Sequence, residues 1–153
     1  MDIIIVGIGG QGTILAGKIL CDALVESGYD VKKSEVHGMS QRGGSVITHV
    51  RFDKNKVYSP LIRAKSADIV LSFNEDETKR YSYLAKDDAR VIQLTDKDKE
   101  KVFVKSLNVF GLGKLSTIVE IPYNAWEKSL KSNVKKFYED NLKAFETGMK
   151  EGI

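Results

Sequence analysis

The feature that most constrains this chain is the junction at its start, where Asp2-Ile-Ile-Ile-Val6 runs straight into Gly7-Ile-Gly-Gly-Gln-Gly12. An almost entirely apolar run of this length, ended by glycines, reads as a central strand covered on both faces. The glycines fit G-x-G-x-x-G in the one setting where that pattern has mechanical meaning, after a strand and at the mouth of a helix. Glycine lets the backbone turn tightly and brings N–H groups close to a phosphate, and the helix N-terminus adds partial positive charge. The same residues also suit a bare strand-to-helix turn with no ligand.

The following residues extend this start into a layered α/β fold. From Gln11 to Ser27 apolar residues are dense, and Lys18, Asp22 and Glu26 recur every four positions, so this helix shows solvent a narrow stripe. Gly28 supplies a left-handed stop, and Tyr29 to Val36 reads as a second strand. Strand, helix, strand predicts a right-handed crossover with the two strands paired in parallel. Ser45 to Phe52 alternates, with Val46, Thr48, Val50 and Phe52 on one face and Ser45, Ile47, His49 and Arg51 on the other. Asp53 to Lys56 reads as a hairpin turn into a short strand at 57–59, which makes the sheet mixed.

Further on, Asp68 to Ser72 is a short apolar strand, and Asn74 is placed to cap a helix reaching Leu84. Arg90 to Leu94 is another strand, and Thr95 to Lys101 reads as a solvated, charge-rich loop. Leu107 to Val119 reads as a helix whose Gly111 and Gly113 admit a close neighbour. After Pro122 come a short helix marked by Trp126 and Leu130 and a last one marked by Val134, Phe137, Asn141, Phe145 and Met149. The fold class is thus a three-layer α/β/α Rossmann-like domain with a mostly parallel, mixed sheet, one domain over 1–153.

Several function classes are disfavoured by composition. Twenty-four basic against 21 acidic residues give +3, dispersed along the chain, which is weak footing for nucleic-acid binding. The N-terminus lacks the plan of a signal peptide and no run reaches membrane-span length, so a cytoplasmic protein is expected. One cysteine, Cys21, lies in the first helix pattern and reads as core packing; alone it supplies one of the roughly four thiolates an iron–sulfur cluster takes. Two histidines without metal-ligand spacing predict no transition-metal site.

Candidate chemistry gathers in two loops. Gly7, Gly9, Gly10, Gln11 and Gly12 form the first. The second, His37-Gly-Met-Ser-Gln-Arg-Gly-Gly44, leaves the carboxyl end of strand 2, where ligands of open α/β sheets collect, so the two loops should be neighbours. Here Arg42 suits bidentate binding of a phosphate or carboxylate, Ser40 and Gln41 offer polar contacts, and Gly43 gives the backbone room. A subunit contact would use the same residues. Glu35 stands where a dinucleotide site wants an acid for ribose hydroxyls, which keeps a stand-alone Rossmann-type nucleotide-binding oxidoreductase as an alternative, beside a non-catalytic assembly module. His37 lacks any partner nameable from sequence.

Taken together, these stretches resemble a known family. IIIVGIGGQGTILAGKIL and EVHGMSQRGGSV are similar to the two glycine loops of the gamma-type subunit of 2-oxoacid:ferredoxin oxidoreductases, with the second nearest the indolepyruvate branch of the pyruvate and ketoisovalerate group. YSPLIRAKSADIVLSFNEDE and NLKAFETG extend the likeness over nearly the whole chain. The charged link between Leu94 and Phe103 departs from it, being short where the family usually carries a longer insertion. The resemblance implies oxidative decarboxylation of a 2-oxoacid, indolepyruvate-like or pyruvate-like, to an acyl-CoA. It implies a partner subunit carrying thiamine diphosphate, Mg and the iron–sulfur clusters, ferredoxin reached through the complex, and a homodimer contact as a further option. On this reading the isolated chain is inactive, and Gly9 to Gly12 with Ser40 and Arg42 face coenzyme A.

Overall fold

The computed structural model describes residues 1–38 and 43–153. Its centre is β1 (Asp2–Ile8), followed by α1 (Thr13–Glu26), β2 (Asp30–His37), β3 (Ser45–Asp53), β4 (Ala67–Ser72), α2 (Glu75–Tyr81) and β5 (Ala85–Gln93). Three further helices pack on: α4 (Leu107–Leu115), α5 (Tyr123–Asn133) and α6 (Tyr138–Glu151), with a short α3 (Asp96–Lys101) preceding them. The five strands lie in the order β2-β3-β1-β4-β5. β1 pairs in parallel with β4, and β4 with β5, while β3 runs antiparallel to both of its neighbours. Four strands therefore point one way and β3 alone is reversed, which gives the mixed, mostly co-directional sheet expected.

The strand neighbours differ from expectation at one place. β1 and β2 run in the same direction, but they are not paired, because β3 inserts between them. The crossover rule gives the direction of β2; it does not forbid a later strand from taking the gap. The expected hairpin into a strand at 57–59 is also absent. Val57 N–H instead donates to the Asp30 carboxylate at 2.7 Å, and the irregular run through 66 crosses the sheet, seating buried Ile62 against it. His49, also buried, accepts the Ile62 N–H on Nδ1 at 3.2 Å, and burial pushes its pKa below the ordinary value. It is a structural histidine.

The alternation of β1 divides the interior in two. Ile3 and Ile5 join Val50, Phe52, Ile69 and Leu71 under α1, α4, α5 and α6, while Ile4 and Val6 join Ile47, Val70 and Leu84 on the face that carries α2. Each such aliphatic side chain contributes about 1.5–3 kcal/mol by leaving water. α1 lies close on β3 because Gly17 has no side chain; a Cβ there would stand 2.7 Å from Cγ2 of Thr48. α4 and α6 approach closer still, since a Cβ on Gly113 would lie 2.1 Å from the Phe145 carbonyl oxygen and one on Gly148 2.2 Å from that of Phe110. The close approach anticipated at Gly113 is thus a backbone-to-backbone crossing.

Other boundaries move for local reasons. The charged stretch after Thr95 is not a loop but α3, nucleated by a capping box in which Asp98 accepts from both the Thr95 N–H, at 2.8 Å, and the Thr95 hydroxyl. Burial works against ionisation of Asp98, but these bonds and Lys101 outweigh it and hold the carboxyl below its usual range. α4 ends at Leu115, four residues short of expectation, and Phe137 is not in the last helix but precedes it in a left-handed conformation, φ 56°. Asn141, the polar member of that stripe, is buried and satisfied, its amide donating to the Phe137 carbonyl at 2.8 Å. No helix among the described residues is long and apolar enough to cross a membrane.

Candidate functional site

The site sits at the carboxyl end of β1. From there the chain travels through α1 to the β2 side of the sheet, whereas β4 continues through α2 to β5 on the other side, with α1 and α2 on opposite faces. The crevice between the ends of β1 and β4 is therefore the switch point at which open α/β sheets bind ligands. Here Gln11 spans it. Its side-chain oxygen accepts from Ile8 N–H at 2.8 Å and its amide donates to the Phe73 carbonyl at 2.9 Å, so this side chain is spent on holding the turn to β4.

The glycines follow the mechanics of the turn. Gly10 (φ 95°) and Gly12 (φ 80°) occupy left-handed conformations, Gly12 as the N-cap of α1. A Cβ on Gly7 would stand 2.8 Å from Oγ1 of Thr13, so this glycine lets the helix start lie against the strand end. Gly12 O receives both the Ala16 N–H, at 2.9 Å, and the side-chain amide of Asn108 on α4, at 3.2 Å. Helix geometry leaves the N–H groups of Thr13, Ile14 and Leu15 without partners inside α1.

The two loops meet, as expected, but through β3 rather than through the end of β2. Gly9 N–H donates to the Gly44 carbonyl at 2.8 Å, and a Cβ on Gly9 would lie 3.5 Å from Gly43 N. The base of the second loop is closed by Gly38 N–H donating to Ser45 O at 2.7 Å. Gly43 takes a left-handed φ of 68°. Ser40, Gln41 and Arg42 lie outside the described residues. The Gly9 donor is consumed by this junction, which leaves the backbone donors at Gly10, Gly12 and the first turn of α1 as the groups suited to an anionic ligand.

Two clefts flank Gln11. One, about 470 Å³, is walled by Ile8, Gly10, Gly12, Ile14, Leu15 and Val46, largely apolar, with Lys18 at its rim. The other, about 280 Å³, lies over the ends of β4 and β5 among Gln11, Asn74, Gln93, Thr95 and Lys99. Lys18 is itself engaged by Asp22 at 3.0 Å and Asn133. Among the described residues no cluster of three or more His, Cys, Asp or Glu side chains is placed to hold a metal ion.

The features that favoured a dinucleotide fall apart spatially. Glu35 is on β2, two strand spacings or about 9–10 Å from β1, and it is paired with Lys33 at 2.5 Å. His37 is half exposed, with Nε2 3.9 Å from Glu35. Conversely, two residues unmarked in the sequence belong to the site. Asn108 hides in an apolar helix, and Glu77, three residues after the Asn74 cap, is buried and accepts from the Ser45 hydroxyl at 2.5 Å. Nothing local marks the role of Glu77: the Asn-x-x-Glu spacing at the helix start predicts a bond back to the Asn74 N–H, which the Ser72 hydroxyl accepts instead.

A switch-point turn tied to a second glycine-rich loop defines an α/β domain of the doubly wound kind, with helices on both faces of a mixed five-stranded sheet. The pyruvate ferredoxin/flavodoxin oxidoreductase family matches residues 2–106, and the chain belongs to that family. Indolepyruvate oxidoreductase subunit IorB of Thermococcus kodakarensis is 48% identical over 86 residues, 56% of this chain and 42% of that one. The pyruvate/ketoisovalerate oxidoreductases common subunit gamma of Pyrococcus abyssi is 32% identical over 105 residues, 65% of this chain and 54% of that one. The chain thus spans about half the length of the curated relatives it matches. The fold matches the keto/oxoacid ferredoxin oxidoreductase gamma subunit of Geobacter sulfurreducens (TM-score 0.79, 24% identity, 98% of this chain and 96% of that one). It also matches a 2-oxoglutarate:ferredoxin oxidoreductase of Magnetococcus marinus with 2-oxoglutarate, coenzyme A and succinyl-CoA bound (TM-score 0.79, 20% identity, 98% of this chain and 30% of that one).

Proposed function

We propose that this chain is the gamma-type component of a 2-oxoacid:ferredoxin oxidoreductase and that its two glycine loops present coenzyme A to the reacting centre. The observation that carries the reading is the Gly9 N–H to Gly44 carbonyl bond, which fuses both loops into one surface at the mouth of α1. Family membership supports the reaction class. In that reaction the 2-oxoacid loses CO2, two electrons pass to ferredoxin, and the coenzyme A thiol gives up its proton as the acyl thioester forms. Thiamine diphosphate, with Mg, would supply the acyl-carrying chemistry from a partner subunit, which would also carry the iron–sulfur clusters.

The residues of this chain fit coenzyme A in kind. Gly10, Gly12 and the first N–H groups of α1 supply neutral donors for phosphate oxygens, Arg42 with Ser40 and Gln41 supplies charge and hydroxyl from the second loop, and the apolar cleft beside Ile14 suits a carbon chain. The chain's part is to bind, orient and shield, while electrons move elsewhere. Indolepyruvate-like substrates are preferred over pyruvate-like ones on the strength of the 48% identical relative.

The test is reconstitution with the thiamine-diphosphate-binding subunit and ferredoxin. Acyl-CoA formation that requires both chains, and that weakens in coenzyme A affinity with Arg42→Ala, supports the reading. Saturable NAD or NADP binding with turnover by the chain alone, and no dependence on a thiamine-binding partner, would replace it with the nucleotide-oxidoreductase alternative.

A further inference from the structure

Glu77 is 4% exposed, and its carboxylate faces the base of the second loop rather than solvent. One oxygen accepts from the Ser45 hydroxyl, and the other lies 3.4 Å from Nε of the largely exposed Arg80. Tyr81, one helical turn further along α2, reaches Ser45 Oγ at 2.8 Å. Because the carboxylate can only accept, Ser45 spends its hydrogen on Glu77 and the Tyr81 hydroxyl donates to Ser45 in turn. The direction of the chain is fixed: Tyr81 to Ser45 to Glu77.

Ser45 lies where the two loops join. Its carbonyl closes the second loop by accepting Gly38 N–H, and the preceding carbonyl, that of Gly44, accepts Gly9 N–H from the first. Its partner in the β1–β3 register is Ile8, whose own N–H is held by Gln11. A buried carboxylate is costly to keep, and a surface serine could close a loop without one. The carboxylate is placed where a shift of Ser45 would move both loops at once.

We propose that Glu77 is a positioning residue which, through Ser45, sets the spacing of the two glycine loops and thereby the affinity of their shared ligand site. This rests on the reading of that site as one for coenzyme A. Glu77 touches no ligand; its effect passes entirely through the Ser45 hydroxyl.

The experiment measures the coenzyme A KM and the kcat of the reconstituted complex for wild type, Glu77→Leu, Glu77→Gln, Ser45→Ala and the Glu77→Leu/Ser45→Ala double variant. Glu77→Leu and Ser45→Ala should each raise the KM about tenfold, with a much smaller change in kcat. Glu77→Gln keeps an acceptor oxygen and should stay within about threefold of wild type. The double variant should be no worse than the worse single one, because both act through one bond. If Glu77→Leu does not fold, Ser45→Ala and Glu77→Gln carry the test. An unchanged KM in Ser45→Ala, additive losses, or a fall in kcat alone would overturn the positioning role. A wild-type complex that turns over without saturable dependence on coenzyme A would overturn the reading beneath it, and the positioning role with it.

Discussion

The side-chain amide of Asn108 donates to the carbonyl oxygen of Gly12 at 3.2 Å, and its Nδ2 stands 2.5 Å from where a Cβ on Gly12 would be. α4 is thereby keyed to the first residue of the turn that starts α1, and only glycine leaves room for it. A Gly12→Ala substitution meets two costs, a left-handed backbone of about 1–2 kcal/mol and a steric conflict of about 1–3 kcal/mol. Chemical denaturation should report a loss of at least about 2 kcal/mol; a loss below about 0.5 kcal/mol would show that the keyed contact is absent in solution.

Gln11 makes a different prediction, because it serves the turn rather than a ligand. Its replacement by Ala leaves the Ile8 N–H and the Phe73 carbonyl without their partner, at about 1–3 kcal/mol. Gln11→Ala should therefore lower the denaturation midpoint. A variant as stable as wild type, weakened only in ligand binding, would return Gln11 to the role its sequence position suggested.

The α4–α6 crossing can be probed far from the site. Gly113→Ala would drive a methyl into the Phe145 carbonyl, and overpacking of this kind costs about 1–3 kcal/mol. Melting measurements on Gly113→Ala and Gly148→Ala should both show it. A neutral result for either would mean that the helices sit farther apart than described.

Cys21 gives a pH signature. Burial pushes its thiol up to about 12 from an ordinary value of 9.0. Because the folded thiol holds its proton more tightly than the unfolded one, its stabilising contribution is intact below pH 9.0 and fades as pH rises toward about 12. Iodoacetamide at neutral pH should label native Cys21 more slowly than the unfolded chain, whereas equal rates would contradict its partly buried packing against the core.

Local signals in the sequence locate individual elements, and long-range pairing decides how they are arranged. The all-apolar β1, the Asn74 cap and the Gly113 close approach were legible because each is a local signal with a single mechanical meaning. The insertion of β3 between β1 and β2 was not, since strand order depends on long-range pairing that no residue of β2 announces. It is this insertion that separates Glu35 from β1 and joins Gly9 to Gly44. The α3 helix is hidden in the sequence because its lysines and aspartates have the composition of a solvated loop, although Thr95 and Asp98 carry the spacing of a capping box. The glycine loops are local motifs, whereas the groups that hold them in place, Asn108, Ser45 and Glu77, come together only when distant segments meet.

On the proposed reading, coenzyme A is held at the junction of the two glycine loops. Backbone amide NMR of the chain titrated with coenzyme A, alone and with its thiamine-binding partner, addresses it residue by residue. Saturable shifts centred on Gly10, Gly12, Thr13 and Ile14, lost in Arg42→Ala, are the predicted result. Saturable binding that leaves those amides unmoved, or none in the assembled complex, would contradict it.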